Sequence, residues 1–431
     1  MVLRAMFAGA SGLRAEGEAL GVAGDNIANV NTVGFKAQRA IFQDVLGRSI
    51  LAGGGSAQPG AGVRMADVQQ LFTQGGLANT GVATDLALNG EGFFTVKGTV
   101  DGVTSNFFTR AGQFTINQDG FLVNPSGLEL QGYIANPDGT YQSSVSSMQA
   151  PTSAIQPHAT ESMDVTANLD AAAVPPTDPW DEQDPANTSN FSTSMTVYDS
   201  LGNSHPVDVF FVKTGANTWD YHVLASGDEL NPVVAGQNVE IGAGDLAFTT
   251  NGELDAFNET TPIAVNFANA TAGQAIELNF GTDITSGGTG LDGVTQFAAP
   301  SSVSSQNQDG YSSGDFAGVA VDGRGVVQGL YTNGQRIPIG QLAIAKFRSN
   351  DGLARAGQNL WIETRASGAA ALGVAGAGGR GAVSAGALES SNVDIAEEFI
   401  GLIQHQRSFS ANSKTITTAD EMLQELISIK R

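Results

Sequence analysis

Apolar and small residues recur at alternating intervals of three and four from Leu3 onward: Leu3, Met6, Ala10, Leu13, Gly17, Leu20, Gly24 and Ile27. This is a heptad seam, and it predicts a helix. Its small members, Ala10, Gly17 and Gly24, would let another backbone approach closely, at a cost of about 1 kcal/mol of helix propensity per Gly relative to Ala. Such a helix is weak by itself and wants a partner. The far end of the chain offers one, because Ile395, Phe399, Leu402, Gln406, Phe409, Ser413, Ile416, Asp420, Leu423 and Ile427 repeat the pattern. Gln406, Ser413 and Asp420 interrupt that seam, so this helix is expected to face several neighbours rather than one. The stretch "SSNVDIAEEF" supplies capping candidates and first-turn acids that complement the helix dipole. A plain helix pair closing one globular domain is the simpler alternative.

Between the ends the pattern changes to short alternating segments separated by Asp-Gly and Asn-Gly pairs, the signature of hairpins. Gln118-Asp119-Gly120 lies between "FTI" and "FLV", and Pro137-Asp138-Gly139 between "YIA" and "YQ". The same texture returns at residues 318–347. The expected fold is mainly β with α-helical termini: coiled-coil-like helical segments at 1–75 and 376–431, a discontinuous β domain at 76–150 and 305–375, and an inserted all-β domain at 151–304. Pro-, Asp- and Ser-rich edges of the insertion read as linkers. Two Gly/Ala-rich stretches, 51–62 and 367–386, read as flexible connectors between the helices and the β part.

Composition sharpens this picture in two places. Gly is abundant (55 against 14 Pro) and only 15% of residues are charged, which suits a turn-rich β protein of two or three domains. The net charge of −23 is also unevenly spread. Residues 151–304 hold 20 acids and one base, Lys213, a balance of −19 that leaves −4 for the remainder. The middle is therefore a separate solvated module, and no basic footprint for nucleic acid exists in either part. Cysteine is absent, which excludes disulfides and thiolate metal sites. The N-terminus "MVLRAMFAGASGL" has no unbroken apolar region before Arg4, so a cleaved signal peptide is not expected, and no window reaches the length of a membrane span.

The sequence offers no catalytic chemistry. His158, His205, His222 and His405 are scattered, none at ligand spacing from another. "GEGFF" lacks the continuation of a dinucleotide loop. "GGTGLDG" (287–293) is a single copy of a calcium repeat that needs stacked copies to complete an ion's shell, so it reads as a loop. Asn187, Asn258 and Asn269 fit the glycosylation pattern and read as turn residues. The expectation is a protein that is not an enzyme and carries no cofactor or metal.

One short stretch remains unusual. "DNIANVNTVGFK" (25–36) gathers Asn26, Asn29 and Asn31 and then Gly34 where the first helix should end. These carboxamides can pair with backbone groups and tolerate the left-handed conformation, so they are expected to stop the helix and fix its register. Gly34 then permits a reversal before Phe35 packs, with Lys36 and Arg39 left for carboxylates or solvent.

"GDNIANVNTVGFKAQRAIFQDVL" and "SNVDIAEEFIGLIQHQRSFSANSKTITTADEMLQEL" resemble the N- and C-terminal signatures of the bacterial flagellar rod, hook and hook-associated proteins. "DLALNGEGFFTV" and "NLWIETRASG" resemble internal motifs of that family, leaving 151–304 outside the resemblance. The length and the extra β module resemble the hook-type members, with a distal-rod-type axial protein as the alternative. The resemblance implies a tubular helical homopolymer that acts as a flexible, torque-transmitting joint in the bacterial flagellum. It also implies terminal helices lining a central channel, and export to the cell exterior through the flagellar type III apparatus. The implied partners are further copies of itself, the distal rod, a hook cap and the hook–filament junction proteins, with no membrane insertion. A different class stays open: an extracellular β-rich adhesin or carbohydrate-binding protein whose helices form a dimerisation stalk.

Overall fold

The computed structural model describes residues 2–46 and 60–429. It divides into two compact units, Met1–Thr152 with Gly318–Leu330 and Arg336–Arg431, and Ser153–Ala317 with Tyr331–Gln335.

In the first unit, helices Val2–Ala28 and Ile395–Ile429 lie side by side. They run antiparallel: Asn26 meets Glu398 and Glu16 meets His405, while Gly12 lies against Asn412 and Gly9 against Ile416. The buried stripe of the N-terminal helix is Gly9, Gly12, Ala15, Ala19, Ala23 and Asn26, one position earlier than most of the seam read from the sequence. The C-terminal helix shows the same offset. Glu398, His405, Asn412 and Ala419 are at least half-buried along with Leu402, Ile416 and Leu423, while Gln406, Ser413 and Asp420 are exposed. The cause is steric. An added Cβ would stand 2.9 Å from Ile416 Cγ1 at Gly9 and 2.6 Å from Asn412 Nδ2 at Gly12, so only the smallest residues allow this approach.

The chain leaves the first helix into an antiparallel hairpin, Gln38–Leu46 with Gly60–Gln70, so these two segments are strands within the range expected to be helical. The hairpin rests on that helix: Val63 N donates to Ser11 Oγ at 3.2 Å. Of the expected connector at 51–62, residues 51–59 lie outside the described residues and the rest begin the second strand of the hairpin. Strands Phe93–Val100 and Val103–Thr109 pair with each other and, from beyond the insertion, with Ile344–Lys346 and Leu360–Ile362. Alternating residues from both halves fill one aromatic core of Phe93, Phe108, Phe347 and Trp361. The two expected turns occur as hairpins, with Gly120 at φ 85 and Gly139 at φ 79. The second expected connector, 367–386, is not a free linker. Ala371–Gly373 pairs with Ile344–Lys346, and Ala382–Ala385 with Leu86–Asn89, because the alternating "AVSA" completes a strand edge.

The second unit stacks a five-stranded antiparallel meander (Phe191–Tyr198, Ser204–Lys213, Thr218–Ser226, Asn238–Phe248, Leu254–Thr261) and a four-stranded sheet containing Ser162–Asn168 and Gln274–Asn279. Phe211, Trp219, Tyr221 and Phe280 interlock between them with Val165 and Leu278. The Pro- and Asp-rich front edge, read as a linker, instead packs on the meander. Trp180 stacks on His222 with ring centres 4.1 Å apart and donates from Nε1 to Glu240 at 3.0 Å. Lys213 Nζ donates to Ala171 O at 2.6 Å. One aromatic and a few hydrogen bonds outweigh the composition.

Candidate assembly site

The end of the N-terminal helix is fixed by one of the three carboxamides. Asn26 is buried at 1% exposure, donates from Nδ2 to Gln38 O (2.7 Å) and Glu398 Oε1 (2.8 Å), and accepts from Gln38 N (2.9 Å). It ties the helix to the hairpin and to the C-terminal helix together. Burial pushes the Glu398 carboxyl up, against the hydrogen bond from Asn26. Asn29 works locally, donating to Asp25 O and accepting from Thr32 Oγ1. Asn31 is exposed. Gly34, at φ 68, has no room for a side chain, since a Cβ would lie 2.5 Å from Ala111 N. Its amide donates to Glu389 O at 2.7 Å.

This reversal buries Phe35 and delivers Lys36 into a closed charge cluster. Lys36 Nζ sits 2.6 Å from Glu389 Oε1 and Arg110 Nη1 3.2 Å from Glu389 Oε2, and all three side chains are buried. Thr73 O, Gly90 O and Gly75 N complete the cluster by accepting from Lys36, accepting from Arg110 and donating to Glu389. Burial lowers the pKa of both cations, and Glu389 opposes the shift. Arg39, by contrast, stays exposed and donates to Gln69. Asn392 closes the other side, accepting from Ala37 N (2.7 Å) and donating to Leu71 O (2.8 Å). Sequence reasoning missed Arg110, Glu389 and Asn392. The one visible signal was Asn392 in "SSNVD", read there as a helix cap.

The clasp holds helices whose outer faces have no partner among the described residues. Leu3 is 60% and Phe7 70% exposed, and they head an exposed stripe through Ala10, Arg14, Gly17, Gly21 and Gly24. No atom lies within 4 Å of a Cβ placed at Gly17, Gly21 or Gly24. Met6, Leu13, Leu20 and Ile27 are half-buried on the flank. On the C-terminal helix Ile395, Phe399, Phe409 and Ile427 of the predicted seam are exposed, as are Ile400 and Ile403 outside it. Large apolar patches of this kind mark association surfaces. Among the described residues, no group of three or more His, Asp or Glu side chains could hold a metal ion, and no helix is long and apolar enough to cross a membrane.

Terminal helices whose apolar faces are exposed among the described residues are clasped to a β unit that is interrupted by a second β unit. Four domain families match the chain in order: "Flagella basal body rod protein" at 6–36, "Flagellar hook protein FlgE/F/G D1 domain" at 87–148, "Flagellar basal body protein FlaE D2 domain" at 168–311, and "Flagellar basal body rod FlgEFG protein C-terminal" at 384–429. The chain is 34% identical to the flagellar hook protein FlgE of Salmonella typhimurium over 424 residues, spanning 97% of this chain and 98% of that one. It is 35% identical to the FlgE of Borreliella burgdorferi over the whole of both chains. The chain belongs to the flagellar hook protein family. The crystal structure of Helicobacter pylori flagellar hook protein FlgE2 shares the fold, with a TM-score of 0.51 at 15% identity over 73% of this chain and 100% of that one.

Proposed function

We propose that the chain is the building block of the flagellar hook, a helical tube that bends while passing torque from the rod to the filament. The observation that carries this reading is the exposed apolar and glycine stripe of the terminal helices, with Phe7 at 70% and Ile400 at 58% exposure. Glycine weakens a helix, so an exposed face that keeps Gly17, Gly21 and Gly24 is costly to a monomer and suits one that receives a neighbour's backbone. Contacts between different faces of identical subunits build open helical assemblies. The chain is a structural subunit that polymerises with its own kind in the flagellar basal body. The finer reading adds export through the flagellar type III apparatus, the distal rod below, a hook cap during growth and junction proteins above. The expected seam residues Leu3, Phe399, Phe409 and Ile427 then contact neighbouring copies.

The test is complementation. A flagellated cell whose hook gene is replaced by this sequence should build hooks labelled along their length by antibody to residues 153–317. Label confined to the rod would favour a distal-rod subunit, and soluble label with bare basal bodies would contradict the reading.

A further inference from the structure

We propose that the first turn of one copy's N-terminal helix docks into an acidic cleft at the opposite end of the helix pair of the next copy. The inference rests on the reading of the chain as a polymerising hook subunit and names the contact. The cleft, about 240 Å³, lies where the end of the N-terminal helix, the start of the hairpin and the start of the C-terminal helix converge. Its floor is small, with Ala19, Ala23 and Gly401, and its rim carries Asp394, Glu397 and Glu398. Against these three acids the same rim carries Arg39, which keeps its charge while donating to the neutral Gln69 Oε1 at 2.7 Å, and His405, whose Nδ1 is paired with Glu16 Oε2 at 2.6 Å. The cleft therefore presents net negative charge around an apolar floor.

The occupant has the opposite character. Leu3 and Phe7 stand one turn apart and are exposed, with Arg4 exposed beside them. No acid precedes Glu16, so the first turn carries Arg4 and the positive end of the helix dipole with no acidic residue beside them in sequence. A pair of apolar knobs within a positive field matches an Ala/Gly floor within an acidic rim. Leu3 and the cleft floor at Ala19–Ala23 are separated by about 24–30 Å along one straight helix. A chain therefore cannot fill its own cleft, and the contact must be made with another copy.

The absence of native cysteine makes the test direct. A chain carrying Leu3→Cys and Gly401→Cys, the latter at a position with open space for a side chain, is polymerised and mildly oxidised. The expected result is a ladder of disulfide-linked multimers on a non-reducing gel, with only monomers and dimers from either single variant, since the bond requires Cα atoms within about 7 Å. Normal tubes without a ladder overturn the contact and leave the hook reading intact. If the double variant does not assemble, Arg4→Glu and Glu397→Arg replace it. Each should reduce tube yield at least tenfold and the pair should restore it, while failure to restore overturns the contact. An unmodified chain that forms no polymer overturns both.

Discussion

Glu389 is the residue on which the terminal segments converge, because its carboxylate answers two buried cations and its carbonyl accepts from Gly34. Glu389→Gln should lower the stability of the first unit by about 3–5 kcal/mol, the usual cost of leaving buried charge unanswered. Lys36→Met should cost less, since Arg110 still meets Glu389, and should be nearly neutral on the Glu389→Gln background. A double-mutant cycle by denaturant unfolding checks this, and additive costs would contradict it. In the second unit Asp199 is the corresponding acceptor. Burial pushes its carboxyl up, but hydrogen bonds from Asn203, His205 and Leu201 outweigh that and hold it below its usual 3.8. The folded state thus favours the carboxylate, so this stability is present above pH about 4 and is lost as pH falls through the depressed folded value. Asp199→Asn should cost about 1–3 kcal/mol near neutrality. It should also flatten the fall in denaturation midpoint on acidification, and an unchanged slope would assign the acid sensitivity elsewhere. The turn at Gly34 was legible in the sequence because turn chemistry is local, whereas the sequence could not tell Asn26, which bridges three elements, from the exposed Asn31. Arg110 and Glu389 were not legible, because their partner Lys36 is far away in the chain.

The offset between the expected and observed helix faces has a single cause. Periodicity finds the apolar positions, whether they turn inward within the chain or outward to a neighbour, whereas the intrachain contact selects the positions small enough for close approach. Leu3 and Phe399 thus belonged to the expected seam yet face outward, while Gly9, Gly12 and Ala19 pack inward. The two glycine classes should separate by experiment. Gly17→Ala and Gly21→Ala meet nothing within 4 Å, so each should stabilise the unassembled helix by about 1 kcal/mol. If the outer face receives a neighbour's backbone, each should also weaken polymerisation. Gly9→Ala meets Ile416 Cγ1 at 2.9 Å and the Asn412 carbonyl at 3.3 Å, so it should destabilise the helix pair by an overpacking cost of about 1–3 kcal/mol, read as a lowered melting temperature by circular dichroism. Strand pairing was legible at "QDG" and "PDG", where turn chemistry is explicit. It was hidden at 367–386 and at the Trp180 segment, where Gly/Ala and Pro/Asp compositions resemble linkers and only distant partners determine structure.

The second unit, Ser153–Ala317 with Tyr331–Gln335, has its own two-sheet core and runs past the expected end of the insertion at 304. A fragment spanning residues 153–317 should unfold cooperatively by itself, with a sigmoidal denaturant transition and dispersed amide resonances. A gradual transition would show that it depends on the rest of the chain. The first unit should instead gain most of its protection on assembly, since its helices expose Phe7, Phe399 and Ile403 until neighbours cover them. If these faces drive open-ended self-association, raising the concentration of the purified full-length chain should reveal it. Negative-stain electron microscopy should show tubes whose length grows with concentration, and the chain with Phe7→Ser and Phe399→Ser should remain dispersed with its β units intact. A monomer or closed dimer at every concentration, or tubes unaffected by both substitutions, would show that these faces do not drive open-ended self-association.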